Sequence, residues 1–209
     1  MSSTATGALV LAAAFALGSI PTGLWMGKAH GIDLRQVGSR NLGATNVYRT
    51  LGPRAGLFVL AIDMLKGVAA VLLARRFTPG GFFPVAAAGL AVLGHILSPL
   101  AGFRGGKGVA TGGGAMLGLA PSAGLIALLV FAVTVALTRF VSLGSILAAL
   151  ALPAAVWLTA RDVPGLLWVA VALSALVVAR HRTNLARLLR GTEPRFAPRG
   201  GRVSGGGTA

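Results

Sequence analysis

From Val109 to Thr138 the chain runs through thirty residues without one charged side chain. A soluble protein would have to bury such a run on every side, and little here could cover it. Of all residues 55% are hydrophobic and only 11% charged, where soluble domains carry roughly a quarter charged. A lipid bilayer accepts this composition. At ~1.5 Å per residue the run is too long for one upright crossing of a hydrocarbon core about 30 Å thick. Pro121 lies near its centre, where it removes a helical N–H. The run therefore divides into a short piece, about 108–119, and a fuller span, 122–138.

The same length criterion marks spans at about 5–27, 55–75, 82–101, 143–160 and 163–179. No Lys or Arg precedes the first apolar stretch, and it continues to Lys28, so it reads as a retained span rather than a leader peptide. The expected fold is an all-α polytopic membrane protein with seven transmembrane helices. Residues 1–190 form a single transmembrane domain, and 191–209 form a basic, Gly/Pro-rich tail expected to be disordered.

Nineteen Lys and Arg stand against four acids, a formal charge of +15. Such a balance suits nucleic acid, anionic lipid or an anionic substrate. The bases lie in short segments between apolar runs rather than on a polar surface, which favours the membrane and an anionic substrate over nucleic acid. Seven of them follow Ala179, so the positive-inside rule sets the C-terminus in the cytoplasm. Counting back by parity puts Arg139, the 102–107 loop and the 28–54 loop on that same side and the N-terminus outside. Fifteen of the nineteen bases are then cytoplasmic. A re-entrant 108–119 would break this parity, and the charge count argues against it. The absence of Cys excludes disulfides and thiol nucleophiles.

Three segments carry chemistry. Gly38 to Arg49 alternates small and amide-bearing residues with arginines: Ser39, Asn41, Gly43, Thr45, Asn46 and Arg49. Exposed backbone N–H groups, hydroxyls, amides and fixed positive charge are the parts of a phosphate cradle; the same residues also suit an interfacial loop obeying positive-inside. Gly105, Gly106, Lys107 and Gly108 lead into the short apolar piece, whose free N–H groups and positive dipole end suit an anion at the membrane face. This is not a Walker loop, because Ala101 and Gly108 occupy two of its defining positions, and glycines with a lysine also make plain turns. The third pairs Ser142 with the start of the tail, where His181 and Asn184 share a helical face. Basic helix ends also anchor to lipid headgroups, the role assigned to Arg190 onward. Within the second span, Asp63 and Lys66 are spaced to neutralise each other, either for function or for packing.

No two of Asp33, Asp63, Asp162 and Glu193 are close enough in sequence for a metal-ligand motif, which disfavours an alcohol phosphotransferase with clustered aspartates. No Ser/His/Asp set stands at a familiar spacing. No metal and no cofactor are expected.

Taken together, the three segments resemble the acyl-phosphate-dependent glycerol-3-phosphate acyltransferases of bacterial inner membranes, the PlsY family. Ser39-Arg40-Asn41-Leu42-Gly43-Ala44-Thr45-Asn46 and Arg49 approximate its first signature, with Arg40 where the family usually has Gly. Asp63-Met64-Leu65-Lys66-Gly67 looks like its next element. Gly94-His95 through Gly105-Gly106-Lys107-Gly108-Val109-Ala110-Thr111 matches the second signature, with Ser98 in place of the family proline and Pro99 following. Arg139 to Ser142 and the run through His181, Asn184, Arg187, Gly191 and Glu193 resemble the third.

The resemblance covers about 18–193 and implies seven helices, N-terminus out and C-terminus in. It implies transfer of a fatty acyl group from acyl phosphate to the 1-hydroxyl of glycerol 3-phosphate, at a site facing the cytoplasm. Ser39, Arg49, Lys107 and His181 are then the candidate catalytic residues. Asn41, Gly43, Thr45, Asn46, Gly105, Gly106, Gly108, Ser142 and Asn184 are the candidate substrate-binding residues. A small anion or phosphate-ester transporter is the alternative, opposed by the placement of all three loops on one side.

Overall fold

A computed structural model of the chain describes residues 3–78 and 81–196, and every regular element among them is helical. The helices are α1 (Ser3–Ser19), α2 (Thr22–Ala29), α3 (Ala44–Leu51), α4 (Pro53–Phe77), α5 (Phe83–Ile96), α6 (Val109–Leu119), α7 (Pro121–Thr138), α8 (Val141–Thr159), α9 (Leu166–Arg180) and α10 (Arg182–Leu189). Five stretches are long and apolar enough to cross a bilayer: Thr4–Ala29, Pro53–Phe77, Phe83–Ala101, Pro121–Thr138 and Val141–Thr159. Leu166–Arg180 and Arg182–Leu189, bent by 58°, make a sixth if counted as one span. Val109–Leu119 is apolar but only 11 residues long.

The seven apolar pieces alternate in direction. Gly7 near the start of α1 lies on Phe83 at the start of α5, and Ser98 just past α5 bonds Ser19 at the end of α1, so those two run parallel. Lys66 of α4 reaches Ile20 at the far end of α1, so α4 runs the other way. Gly67 of α4 packs on Thr111 and Gly114 of α6 on Met64, the close backbone approach that small residues permit between membrane helices. Arg75 caps the end of α6 through a 2.9 Å bond to the Leu119 carbonyl. The half-length helix therefore lies along only the second half of α4, starting near its middle. One end of the bundle gathers 28–43, 97–108, 139–140 and 181–196; the other gathers the turns at 119–121 and 160–165. Exposed Trp25 stands toward the first end and Trp157 and Trp168 toward the second, positions suited to the two interfaces.

The structure adds three features to the expected layout. The first span, Thr4–Ala29, is broken within: Pro21 cannot donate to the ladder, and the chain breaks at Ile20–Pro21. Of the two carbonyls at the break, Ser19 is taken from outside by the Ser98 hydroxyl, and Ile20 accepts both the Thr22 N–H at 3.1 Å and Lys66 Nζ at 3.0 Å. Ser98 thus makes a bond that proline could not. Secondly, the 28–54 loop contains α3. Thirdly, residues 191–196 are not a loose tail but are bonded to the site, as set out below; 197–209 lie outside the described residues.

Candidate active site

The first motif is folded around Asn46. Only 1% exposed, its carboxamide oxygen accepts the Ser39 N–H at 2.8 Å, and its nitrogen donates to the Leu34 and Val37 carbonyls, both at 3.2 Å. Asn41 turns its oxygen onto the Gly43 N–H at 2.8 Å. The Asn46 amide is spent on loop shape at both ends, and that of Asn41 through its oxygen. What the loop presents is Ser39, exposed, and the start of α3, where Gly43 is the N-cap and no side chain caps the free N–H groups. Thr45 is half-buried in that first turn. Arg40 takes φ +57°, which explains why glycine suits this position.

The second motif is a tight return of the chain onto α5. Gly105 N–H donates to the Ile96 carbonyl and Gly106 N–H to the His95 carbonyl, at 3.1 and 3.2 Å. Any side chain at Gly105 would collide with the His95 carbonyl, and one at Gly106 with the His95 ring. These two glycines hold the loop down rather than offering N–H groups. Gly108, at φ +83°, is the N-cap of α6, and no side chain caps that helix. Lys107 stands between the two.

Lys107 donates to the Asn184 carboxamide oxygen. Asn184 Nδ2 and the Ser142 hydroxyl both donate to Glu193 Oε1, at 2.7 and 2.6 Å, and Arg187 Nε donates to Oε2 at 2.7 Å. Arg180 reaches the Gly105 and Gly106 carbonyls at 3.4 and 3.3 Å. The C-terminal segment crosses the same end: Arg49 Nη2 donates to the Pro194 carbonyl at 3.1 Å, Phe196 N–H to the Arg139 carbonyl at 2.6 Å, and the Phe196 ring lies 4.9 Å from Tyr48. So Arg49, Lys107, Ser142, Asn184 and the neighbourhood of His181 come together. Ser39, Asn41, Gly43 and Thr45 form no hydrogen bond to this cluster among the described residues.

Burial pushes the Lys107 ammonium down to about 8, with Arg187, Arg180 and Arg49 adding repulsion that Glu193 partly offsets. Burial likewise lowers Arg49. For Glu193 burial works upward, but the bonds from Ser142, Asn184 and Arg187 outweigh it and hold the carboxyl below its ordinary value. Three arginines, Arg49, Arg180 and Arg187, and one carboxylate, Glu193, thus act on Lys107, an excess of three positive charges with the lysine counted. His181 Nδ1 sits 2.8 Å from the Val177 carbonyl. A carbonyl only accepts, so Nδ1 carries the proton and Nε2 of the neutral ring is left as a base.

Sequence reasoning omitted Glu193, Arg180 and Arg187 from the candidate set. Glu193 had a signal, being the one acid in a tail of arginines.

Helices long enough for a bilayer, with a cationic, amide-lined site at one end, define an integral membrane protein built to handle anionic substrates. The glycerol-3-phosphate acyltransferase family model matches residues 8–191. The glycerol-3-phosphate acyltransferase of Geobacter sulfurreducens is 48% identical over 191 residues, covering 90% of this chain and 96% of its own. That of Rubrobacter xylanophilus is 43% identical over 199 residues, covering 95% and 98%. The crystal structure of PlsY, an integral membrane glycerol 3-phosphate acyltransferase, in its glycerol 3-phosphate form superposes with a TM-score of 0.87 at 38% identity, over 91% of this chain and 96% of that one. Its lysophosphatidic acid form gives 0.83 at 36%, over 92% and 96%. The chain belongs to the glycerol-3-phosphate acyltransferase family.

Proposed function

We propose that the chain moves a fatty acyl group from acyl phosphate to the 1-hydroxyl of glycerol 3-phosphate, giving lysophosphatidic acid and inorganic phosphate. The observation that carries this is the gathering of Arg49, Arg180 and Arg187 around Lys107, with Glu193 as the one carboxylate among them. That surplus of positive charge, beside the uncapped start of α6, suits two phosphates held close together. The glycerol oxygen attacks the acyl carbon, the bond from that carbon to the phosphate oxygen breaks, and the proton passes to a phosphate oxygen or to His181 Nε2. The donor is already activated, so positioning and charge stabilisation supply the catalysis.

Lys107 and Arg49 bind phosphate, Ser39 donates a hydrogen bond, and Thr45 and the start of α3 add donors. Ser142 and Asn184 orient Lys107 through Glu193, while Asn41, Asn46, Gly43, Gly105, Gly106 and Gly108 shape the loops that present these groups. Residues 1–190, with the segment to 196, act as one transmembrane unit.

The alternating directions of seven apolar pieces support seven crossings of a bacterial inner membrane, N-terminus out and site toward the cytoplasm. Cysteines placed at Val37, Arg104 and Arg139 should resist impermeant thiol reagents in intact cells and react in inverted vesicles; labelling of one from outside would overturn this orientation. Purified protein in vesicles should form lysophosphatidic acid from acyl phosphate and labelled glycerol 3-phosphate. Uptake of the labelled substrate without turnover would point to transport instead.

A further inference from the structure

Beneath the second motif lies a small cavity that the proposed mechanism does not use. It is lined by Pro21, Thr22 and Gly23 at the break in the first span, by Leu42, by Gly105 and Gly106, and by two ionisable side chains, Asp63 of α4 and His95 of α5. Thr22 is 7%, Asp63 2% and His95 9% exposed. Thr22 Oγ1 makes no hydrogen bond within the protein, and Asp63 lines the same cavity. Lys66 Nζ, shared with the Ile20 carbonyl, pairs with Asp63 Oδ1 at 2.8 Å, which balances the charge, and a carboxylate oxygen can accept a further donor besides. His95 Nδ1 is 3.8 Å from the same oxygen, too far for a direct hydrogen bond and right for one bridging atom. An unpaired buried hydroxyl of this kind costs about 1–3 kcal/mol, and a buried water typically makes about three bonds to buried polar groups.

We propose that this cavity holds one ordered water, bonded to Thr22, Asp63 and the His95 ring, and that the water makes His95 a positioning residue for Lys107. The water donates to Asp63 Oδ1, accepts from His95 Nδ1–H, and completes its set with the Thr22 hydroxyl. The cavity is too small for a glycerol unit. A metal cation would meet the Lys66 ammonium already seated against Asp63.

The link to the site is steric. Gly106 lies directly against the far edge of the His95 ring, and the carbonyl of His95 holds the Gly106 N–H. A ring fixed in its tilt therefore fixes Gly106, and Lys107 follows at once in the chain. Arg180 grips the other side of the same turn through the Gly105 and Gly106 carbonyls.

The positioning half rests on the phosphate-binding role given to Lys107; the water itself does not. The first test is a crystal structure of the intact protein grown in lipid, at a resolution that shows ordered solvent. A peak within hydrogen-bond distance of Thr22 Oγ1, Asp63 Oδ1 and the His95 ring is expected. An empty cavity, or a peak with metal coordination distances, overturns the proposal, and no variant is needed.

The second test is Thr22→Val, which keeps the shape and removes one partner of the water. KM for glycerol 3-phosphate should rise on the order of tenfold, the factor one lost hydrogen bond represents, with kcat little changed. Thr22→Ser should restore the parent value. A lower melting temperature with KM unmoved would make the site a packing feature and end the positioning claim. Lys107→Ala serves as the control: if it leaves KM unmoved, the phosphate-binding role has failed, and the solvent peak still decides the water.

Discussion

Glu193→Ala removes the one acceptor that Ser142, Asn184 and Arg187 share. The hydroxyl and carboxamide are buried, and each buried donor left unpaired costs about 1–3 kcal/mol. The Arg187 side chain is 35% exposed and turns to water, so its loss adds at most about 1 kcal/mol. With water entering the vacated space, the net destabilisation should be about 3 kcal/mol. For a chain of this size that lowers the melting temperature by roughly 6–12 °C. Glu193→Gln keeps an oxygen for Ser142 and Asn184 and turns an amide toward Arg187, so it should cost about 1 kcal/mol. The held-down carboxyl is ionised at neutral pH, so its contribution is complete there and is lost only as pH falls through the lowered folded-state value. Asn184 anchors Lys107, and KM for glycerol 3-phosphate should follow the same order: parent, Gln, Ala. Thermal unfolding in detergent and steady-state acyl transfer read both effects. An alanine variant with the parent's melting temperature and KM would refute the hub.

Lys107, pushed down to about 8, binds phosphate as the ammonium, while substrate phosphates, with a second pKa of about 6, are already ionised by pH 8. KM for glycerol 3-phosphate should therefore rise about fivefold between pH 8 and 9, and the rise should vanish in Lys107→Arg; a flat parent profile to pH 9.5 would sink this. Among the described residues no base is bonded to the Ser39 hydroxyl, so it should act as a donor and not carry acyl groups. Ser39→Ala should lose roughly 10²–10³ in rate, and intact-protein mass spectrometry after incubation with acyl phosphate alone should show no acyl adduct. Arg40→Gly relieves a left-handed arginine and should stabilise by about 0–1 kcal/mol; a clear drop in melting temperature would contradict the strain.

The helices and their order were legible because uninterrupted apolar length is a strong signal, and the half-length α6 followed from thirty uncharged residues around Pro121. The break at Pro21 was not legible. Its neighbours stay apolar, and the groups that heal it, Lys66 and Ser98, are remote in sequence. The short α3 hid in a polar segment because only part of its surface is buried. At the site, residue types were readable but their division of labour was not. Asn46 and Ser39 both look like phosphate ligands, and only the fold shows Asn46 consumed by three backbone groups. Glu193 lay among residues read as tail, although its partners come from two separate elements, α8 and α10.

The healed break also bears on biogenesis. The first span leaves the ribosome with the Ser19 carbonyl bare and the Ile20 carbonyl held only by the Thr22 N–H, and the side chains that complete them lie 79 and 46 residues later. At about 5–20 residues per second, Ser98 is made roughly 4–16 seconds after Ser19. Through that interval the bare Ser19 carbonyl in hydrocarbon would cost several kcal/mol. The first helix should thus linger, hydrated, at the insertion machinery and enter lipid only when α4 and α5 arrive to join it. Chains halted before Lys66 should remain crosslinkable to the translocon at Pro21, and chains extended beyond Ser98 should not.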